Sequence, residues 1–269
     1  MSENRIATRF RALAAEKRTA LVVYLVIGEP SVEESLECAR AALAAGADLL
    51  ELGVPFSDPT ADGPVIAAAA YRAIHQGGSL PAALDVARRL REESDAPMVL
   101  FSYVNPVLAF GDTRLPEAAR AAGVDGLLLV DLPPEEGAEL RSGAARAGLS
   151  IVPLVAPTTG REREPRVLAG ATGFIYYVSV TGVTGSAQAP LAQAGRDAAA
   201  LQARAGLPVV VGFGIRTPEQ AREVAATGVS GVVIGTEIVR VIAAEKDRAA
   251  RVKAVSELVG KFRRGLDAR

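Results

Sequence analysis

Glu51 and Asp62 are the residues whose setting best suits proton transfer. The run Leu49-Leu50-Glu51-Leu52-Gly53 is apolar with one carboxylate inside it, and it breaks into Val54-Pro55-Phe56-Ser57-Asp58-Pro59-Thr60-Ala61-Asp62-Gly63-Pro64. A short apolar run bounded by Gly and Pro reads as a buried strand, and such strands rarely hold an unpaired Glu. Side chains alternate along a strand, so Glu51 faces away from Leu50 and Leu52. Two readings follow: an ion pair with a core Lys or Arg, or a carboxylate perturbed by burial at a functional site. Burial of that kind equips Glu and Asp for general acid–base work.

A second chemistry lies late in the chain. Gly212-Phe213-Gly214-Ile215 and Gly235-Thr236-Glu237 are glycine turns that let backbone N–H groups approach a ligand. A helix starting beyond Gly235 would add a dipole favourable to phosphate. Simple turn glycines are the alternative, and the pair of loops favours phosphate. Neither a P-loop nor a Rossmann fingerprint supports a nucleotide. Acid–base chemistry on a phosphorylated small molecule is the expectation.

Composition narrows the field. The 269 residues are 49% apolar and 23% charged, with 31 acids against 30 bases. That balance leaves no electrostatic footprint for nucleic acid or an anionic membrane. The single cysteine, Cys38, sits in an apolar helical pattern and is expected to be a buried inert thiol. The single histidine, His75, precedes Gln76-Gly77-Gly78 at a helix end, which explains it without chemistry. No metal site is expected. The charged start, Met1-Ser2-Glu3-Asn4-Arg5, has no signal-peptide apolar region, and a soluble cytoplasmic protein is expected.

These groups need a scaffold. Apolar strand patterns cover 20–28, 49–53, 97–103, 127–130, 150–155, 173–179, 208–212 and 231–235. Helical patterns fall at 6–18, 32–45, 65–74, 81–93, 116–122, 134–147, 163–168, 191–205, 218–226, 237–244 and 247–264. Strands apolar on both faces and joined by helices form parallel sheets covered by helices. About eight of them favour a single-domain (β/α)8 TIM barrel over 1–269, with extra N-terminal and loop helices. Recurrent Gly-Ala/Val-Asp/Thr/Ser entries at 46, 123, 170 and 228 suggest one reused unit. The basic cluster Lys261, Arg263 and Arg264 reads as a solvated helix face or a fraying tail.

Barrel sites sit on loops after the carboxyl ends of strands. Those loops carry residues 53–64, Tyr103-Val104-Asn105-Pro106, Asp131-Leu132-Pro133-Pro134, the Gly- and hydroxyl-rich run 180–186, and the two glycine turns. Run 180–186 is expected to be a mobile loop.

Taken together, these motifs resemble the tryptophan synthase alpha chain family. The long segment 51–64 carries the likeness most specifically, and it continues through 103–106, 124–126 with 131–136, 179–185 and 212–215. The resemblance implies a carbon–carbon lyase of tryptophan biosynthesis. It would cleave indole-3-glycerol phosphate to indole and D-glyceraldehyde 3-phosphate by a retro-aldol reaction. Glu51 would be the acid–base group at indole C3 and the glycerol hydroxyl, and Asp62 would hold the indole N–H.

By the same resemblance Tyr24, Phe101, Tyr103, Leu128, Tyr176, Thr184 and Phe213 would contact substrate. Gly185, Gly214, Gly235 and Thr236 would hold the phosphate. A tryptophan synthase beta chain is the implied partner in an alpha2-beta2 complex, with Pro55, Asp58, Asn105 and Pro133 facing it. Pyridoxal phosphate would belong to that partner, and no cofactor is expected in this chain. A stand-alone lyase, or a silent subunit that only activates a beta chain, are the alternatives. Three positions depart from the family's common pattern: Tyr24 for a pocket Phe, Glu29 for the Asp of a Gly-Asp-Pro turn, and Thr236 for Ser.

Overall fold

The computed structural model describes residues 4–178, 191–212 and 214–268. The strands are β1 (Ala20–Val26), β2 (Leu49–Gly53), β3 (Met98–Ser102), β4 (Gly126–Leu129), β5 (Ser150–Ile151), β6 (Leu154–Val155), β7 (Ile175–Val178), β8 (Val209–Gly212) and β9 (Gly231–Ile234). They form one sheet in the order β5-β4-β3-β2-β1-β9-β8-β7-β6, and every pairing is parallel. β5 and β6 are two pieces of one barrel strand. The Val152 N–H still bonds the Leu127 carbonyl on the β4 side, whereas the Pro153 carbonyl accepts from Tyr176 of β7. Pro153, with no N–H to donate, sits at the changeover. The nine segments therefore fill eight barrel positions, as the TIM-barrel expectation required.

The helices are α1 (Arg5–Ala15), α2 (Val32–Ala44), α3 (Pro64–His75), α4 (Leu80–Arg91), α5 (Val104–Phe110), α6 (Leu115–Ala121), α7 (Ala138–Ala147), α8 (Glu164–Leu168), α9 (Leu191–Ala205), α10 (Pro218–Ala225), α11 (Thr236–Ala244) and α12 (Arg248–Asp267). No helix among the described residues is long and apolar enough to cross a membrane. Cys38 is buried on α2, and His75 ends α3.

Alternation divides the core in two. Leu21, Val23, Leu25, Leu50 and Leu52 face the helices. Val22, Tyr24, Val26, Leu49, Val99 and Phe101 turn into the barrel interior. α1 closes the end opposite the candidate site with Ile6, Phe10 and Leu13, and the Phe10 and Phe174 rings lie 5.6 Å apart.

Buried carboxylates tie that lower end together. Asp48 accepts the Leu21 N–H at 2.8 Å and pairs with Arg263 at 2.9 Å and with Arg9. Asp125 accepts the Met98 N–H at 3.0 Å and pairs with Arg91 at 2.8 Å and Arg5 at 3.2 Å. The two Gly-Ala/Val-Asp entries at 46–48 and 123–125 are thus structural: the glycine takes a positive φ, and the aspartate latches the preceding strand, β1 for Asp48 and β3 for Asp125. Arg263 corrects the expectation of a solvated basic face, because it is buried between Asp48 and Asp267 while Lys261 and Arg264 are exposed.

Two boundaries also differ from expectation. Residues 104–106, expected as loop, open the helix α5. α7 starts at Ala138 instead of 134: residues 134–136 form a turn in which the Glu136 N–H donates to the Pro133 carbonyl at 3.1 Å, and Leu132 packs against Gly137.

Candidate active site

Glu51 sits midway along β2, in register with Tyr24 of β1 and Val99 of β3. It is fully buried, and neither carboxyl oxygen has a hydrogen-bond partner among the described residues. The core ion pair considered for it is therefore absent. Burial alone disfavours its charged form and pushes its pKa up to about 8. A buried polar group left unsatisfied in this way signals a site whose partner is something other than the protein.

An aromatic frame surrounds it. Tyr24 and Phe101 meet edge to face at 5.2 Å, and Phe101 and Tyr176 at 6.2 Å. Both tyrosines face Glu51 and Asp62 electrostatically, and burial raises their pKa values well above the ordinary range. Glycines at strand ends make room for the rings. A Cβ on Gly53 would stand 2.4 Å from the Tyr24 hydroxyl, and one on Gly212 would stand 2.0 Å from the Tyr176 hydroxyl.

Asp62 reaches the same mouth from the loop ahead of α3, which Gly63 and Pro64 start. It is half-buried, and the Tyr103 hydroxyl donates to its Oδ2 at 3.0 Å. Burial raises its pKa to about 6, and the Tyr103 hydrogen bond opposes that rise. One pocket opens beside Asp62, with Tyr24, Phe101 and Tyr176 on its aromatic side. Gly214, Gly235 and Thr236 border it opposite. Glu51 and Leu128 lie deeper, fully buried, and Leu128 is in register with Phe101. Tyr103 is placed against Asp62 and does not border the pocket.

Gly214 holds a φ of 85°, and Gly235 caps α11 with no side chain on the first N–H groups. That leaves an uncapped positive helix end at the pocket, suited to an anion. Glu237 in the first turn is paired with Arg240 at 2.6 Å, which offsets its repulsion. Thr184, Gly185, Phe213 and the run 180–186 lie outside the described residues. Among the described residues no cluster of His, Cys, Asp and Glu could hold a metal ion.

Asp58 and Pro133 are exposed on loops and Asn105 is exposed on α5, whereas Pro55 is buried against Gly78. Sequence reasoning did not single out Ile66, Ile215 and Val233, which supply apolar lining. Alternation along β9 carries the signal for Val233, since Val232 and Ile234 face the helices. Glu29, flagged as a departure, is buried with Oε1 held by Arg72 at 2.8 and 2.6 Å.

Residues 10–267 match the family model described as "Tryptophan synthase alpha chain". Tryptophan synthase subunit alpha from Legionella pneumophila is 33% identical, with 100% of each chain covered and a TM-score of 0.90. A protein of Aquifex aeolicus VF5 is 35% identical, with 98% of this chain and 99% of that one covered and a TM-score of 0.87. Tryptophan synthase from Mycobacterium tuberculosis is 31% identical over 98% of this chain and 99% of that one, with a TM-score of 0.86. The chain belongs to the tryptophan synthase alpha chain family.

Proposed function

We propose that this member of the family is an indole-3-glycerol-phosphate lyase and the alpha subunit of a tryptophan synthase, working in the cytoplasm as one barrel domain. The carrying observation is geometric: Glu51 is fully buried with neither oxygen bonded among the described residues, and Asp62 borders the aromatic-walled pocket with the Tyr103 hydroxyl on it. Burial pushes the first up to about 8 and the second to about 6. At neutral pH the first is an acid holding its proton and the second is an anion. Separated pKa values of this kind assign acid and base roles.

Glu51 gives its proton to indole C3, which places positive charge on the ring nitrogen. Asp62 accepts the indole N–H bond and stabilises that charge. The Glu51 carboxylate then takes the proton of the glycerol hydroxyl next to the ring. The bond between that carbon and C3 breaks, its electron pair returns to the ring, and the carbon becomes the aldehyde. Glu51 ends protonated, as it began. Tyr24, Phe101 and Tyr176 enclose the indole, and the α11 N-terminus with Gly214, Gly235 and Thr236 holds the phosphate.

Three of the residues assigned to the partner face are exposed beside this site, which supports docking of a beta chain there. The pyridoxal phosphate of tryptophan synthesis belongs to that partner. The deciding experiment measures indole release from indole-3-glycerol phosphate by the purified chain, alone and with a beta chain. Activation by the beta chain supports the subunit reading, and full activity alone supports a free lyase. No release under either condition overturns the proposal.

A further inference from the structure

The Tyr103 hydroxyl bridges two neighbouring groups of one loop. It donates to Asp62 Oδ2 at 3.0 Å and accepts from the Ala61 N–H at 3.1 Å. A hydroxyl has one proton, so with the amide on a lone pair that proton is committed to the carboxylate. This is the single side-chain hydrogen bond to Asp62 among the described residues, and no Lys or Arg there pairs with it. The ring itself is held. Tyr103 is buried at the end of β3 and caps α5, and Phe56 packs against it at 5.3 Å. The next amide, Val104, donates to Asp131 Oδ1 at 2.8 Å, which fixes the α5 start to the loop after β4.

We propose that Tyr103 is a positioning residue for Asp62: it sets where the carboxylate points and favours its charged form before substrate arrives. The inference rests on the lyase reading, in which Asp62 must meet the indole N–H as an anion. The other titratable groups among the described residues that face Asp62 are Tyr24 on β1 and Tyr176 on β7. None of them carries positive charge, so Tyr103 is what opposes the effect of burial. A charge-assisted bond is about twice as strong as a neutral one, which makes its loss measurable.

The test compares the full-length chain with Tyr103→Phe, which keeps the ring against Phe56 and removes only the hydroxyl. Turnover of indole-3-glycerol phosphate is followed against pH, and the Asp62 carboxyl is titrated by carbon-13 NMR without substrate. The expected result is a loss of roughly 10- to 100-fold in kcat with KM within about threefold, from one hydrogen bond to a charged group. The Asp62 titration moves to higher pH, because removing a donor favours the neutral acid. An unmoved titration, an unchanged kcat, or a loss confined to KM overturns the inference. If the variant misfolds, the wild-type Tyr103 Cζ resonance decides: it must respond as Asp62 titrates, and a silent resonance overturns the link. Failure of the wild type to cleave substrate would sink the lyase reading, and the NMR titration would still decide the Tyr103–Asp62 relation.

Discussion

The Tyr24 ring occupies the space that a side chain on Gly53 would need: a Cβ there would lie 2.4 Å from the hydroxyl and 2.6 Å from Cζ. Gly53 follows Glu51 on the same face of β2, so the glycine lets the aromatic wall close over the carboxylate. Gly53→Ala is expected to displace Tyr24 and destabilise the fold by about 1–3 kcal/mol, the usual range for overpacking. Denaturant midpoints for the two proteins check this, and an unchanged midpoint contradicts the contact.

Glu51 should weaken the fold at alkaline pH. Its folded pKa of about 8 lies above the ordinary 4.5, so the folded state binds the proton more tightly. Stability therefore falls as pH rises from 4.5 to about 8 and is level above. Glu51→Gln removes this slope and should be more stable than wild type at pH 9, on the order of a few kcal/mol. The same variant should lose nearly all cleavage. Unfolding curves at several pH values, with indole release alongside, test both halves; retained turnover would remove Glu51 from the mechanism.

The pH profile of kcat/KM should be a bell. Its acid limb follows ionisation of Asp62 near 6 and its alkaline limb follows loss of the Glu51 proton near 8. Asp62→Asn should cut kcat more than it affects substrate binding, and should abolish the acid limb. A profile still falling near pH 6 in that variant would assign the limb to another group.

Phosphate binding can be tested apart from chemistry. Thr236 is the first residue of α11, where Asp is compatible with a helix start. Thr236→Asp places a negative charge where the phosphate would sit, and KM should rise about 10-fold or more while the fold is retained. Equal KM values for the two proteins would move the phosphate elsewhere.

At the opposite end, Arg263 holds Asp48 and Asp267 at 2.9 and 2.7 Å. Arg263→Ala leaves Asp48 with less compensation in a buried setting and should cost ~3–5 kcal/mol, as for other broken buried pairs. Thermal unfolding would show it, and a change within experimental error would mean that the Leu21 N–H, Arg9 and Arg18 together satisfy Asp48.

The fold was legible because barrel strands buried on both faces leave long apolar runs, and alternation assigned Glu51 to the face opposite Leu50 and Leu52. The motif around 51–64 carried the family, and strand-end position carried Asp62, Gly214 and Gly235. Local pattern could also have placed Val233 on the inner face. It did not reveal α5, because its first turn, Val104-Asn105-Pro106, is built of residues that also favour turns. Nor could it reveal the split between β5 and β6, since a hydrogen-bond changeover between neighbours leaves no periodic trace.

By itself, then, the sequence determined that Glu51 is buried, on which face, and in what company along its own strand. Tertiary structure decided that no cation among the described residues meets it, and burial then pushes this core carboxyl up to about 8. It also decided that Tyr103, just beyond β3, reaches Asp62 on the loop ahead of α3, and that Arg263 packs against Asp48 instead of facing solvent. The reason is physical: hydrophobic period reports which way a side chain points, whereas its charge and partners depend on groups brought from distant elements by closure of the barrel.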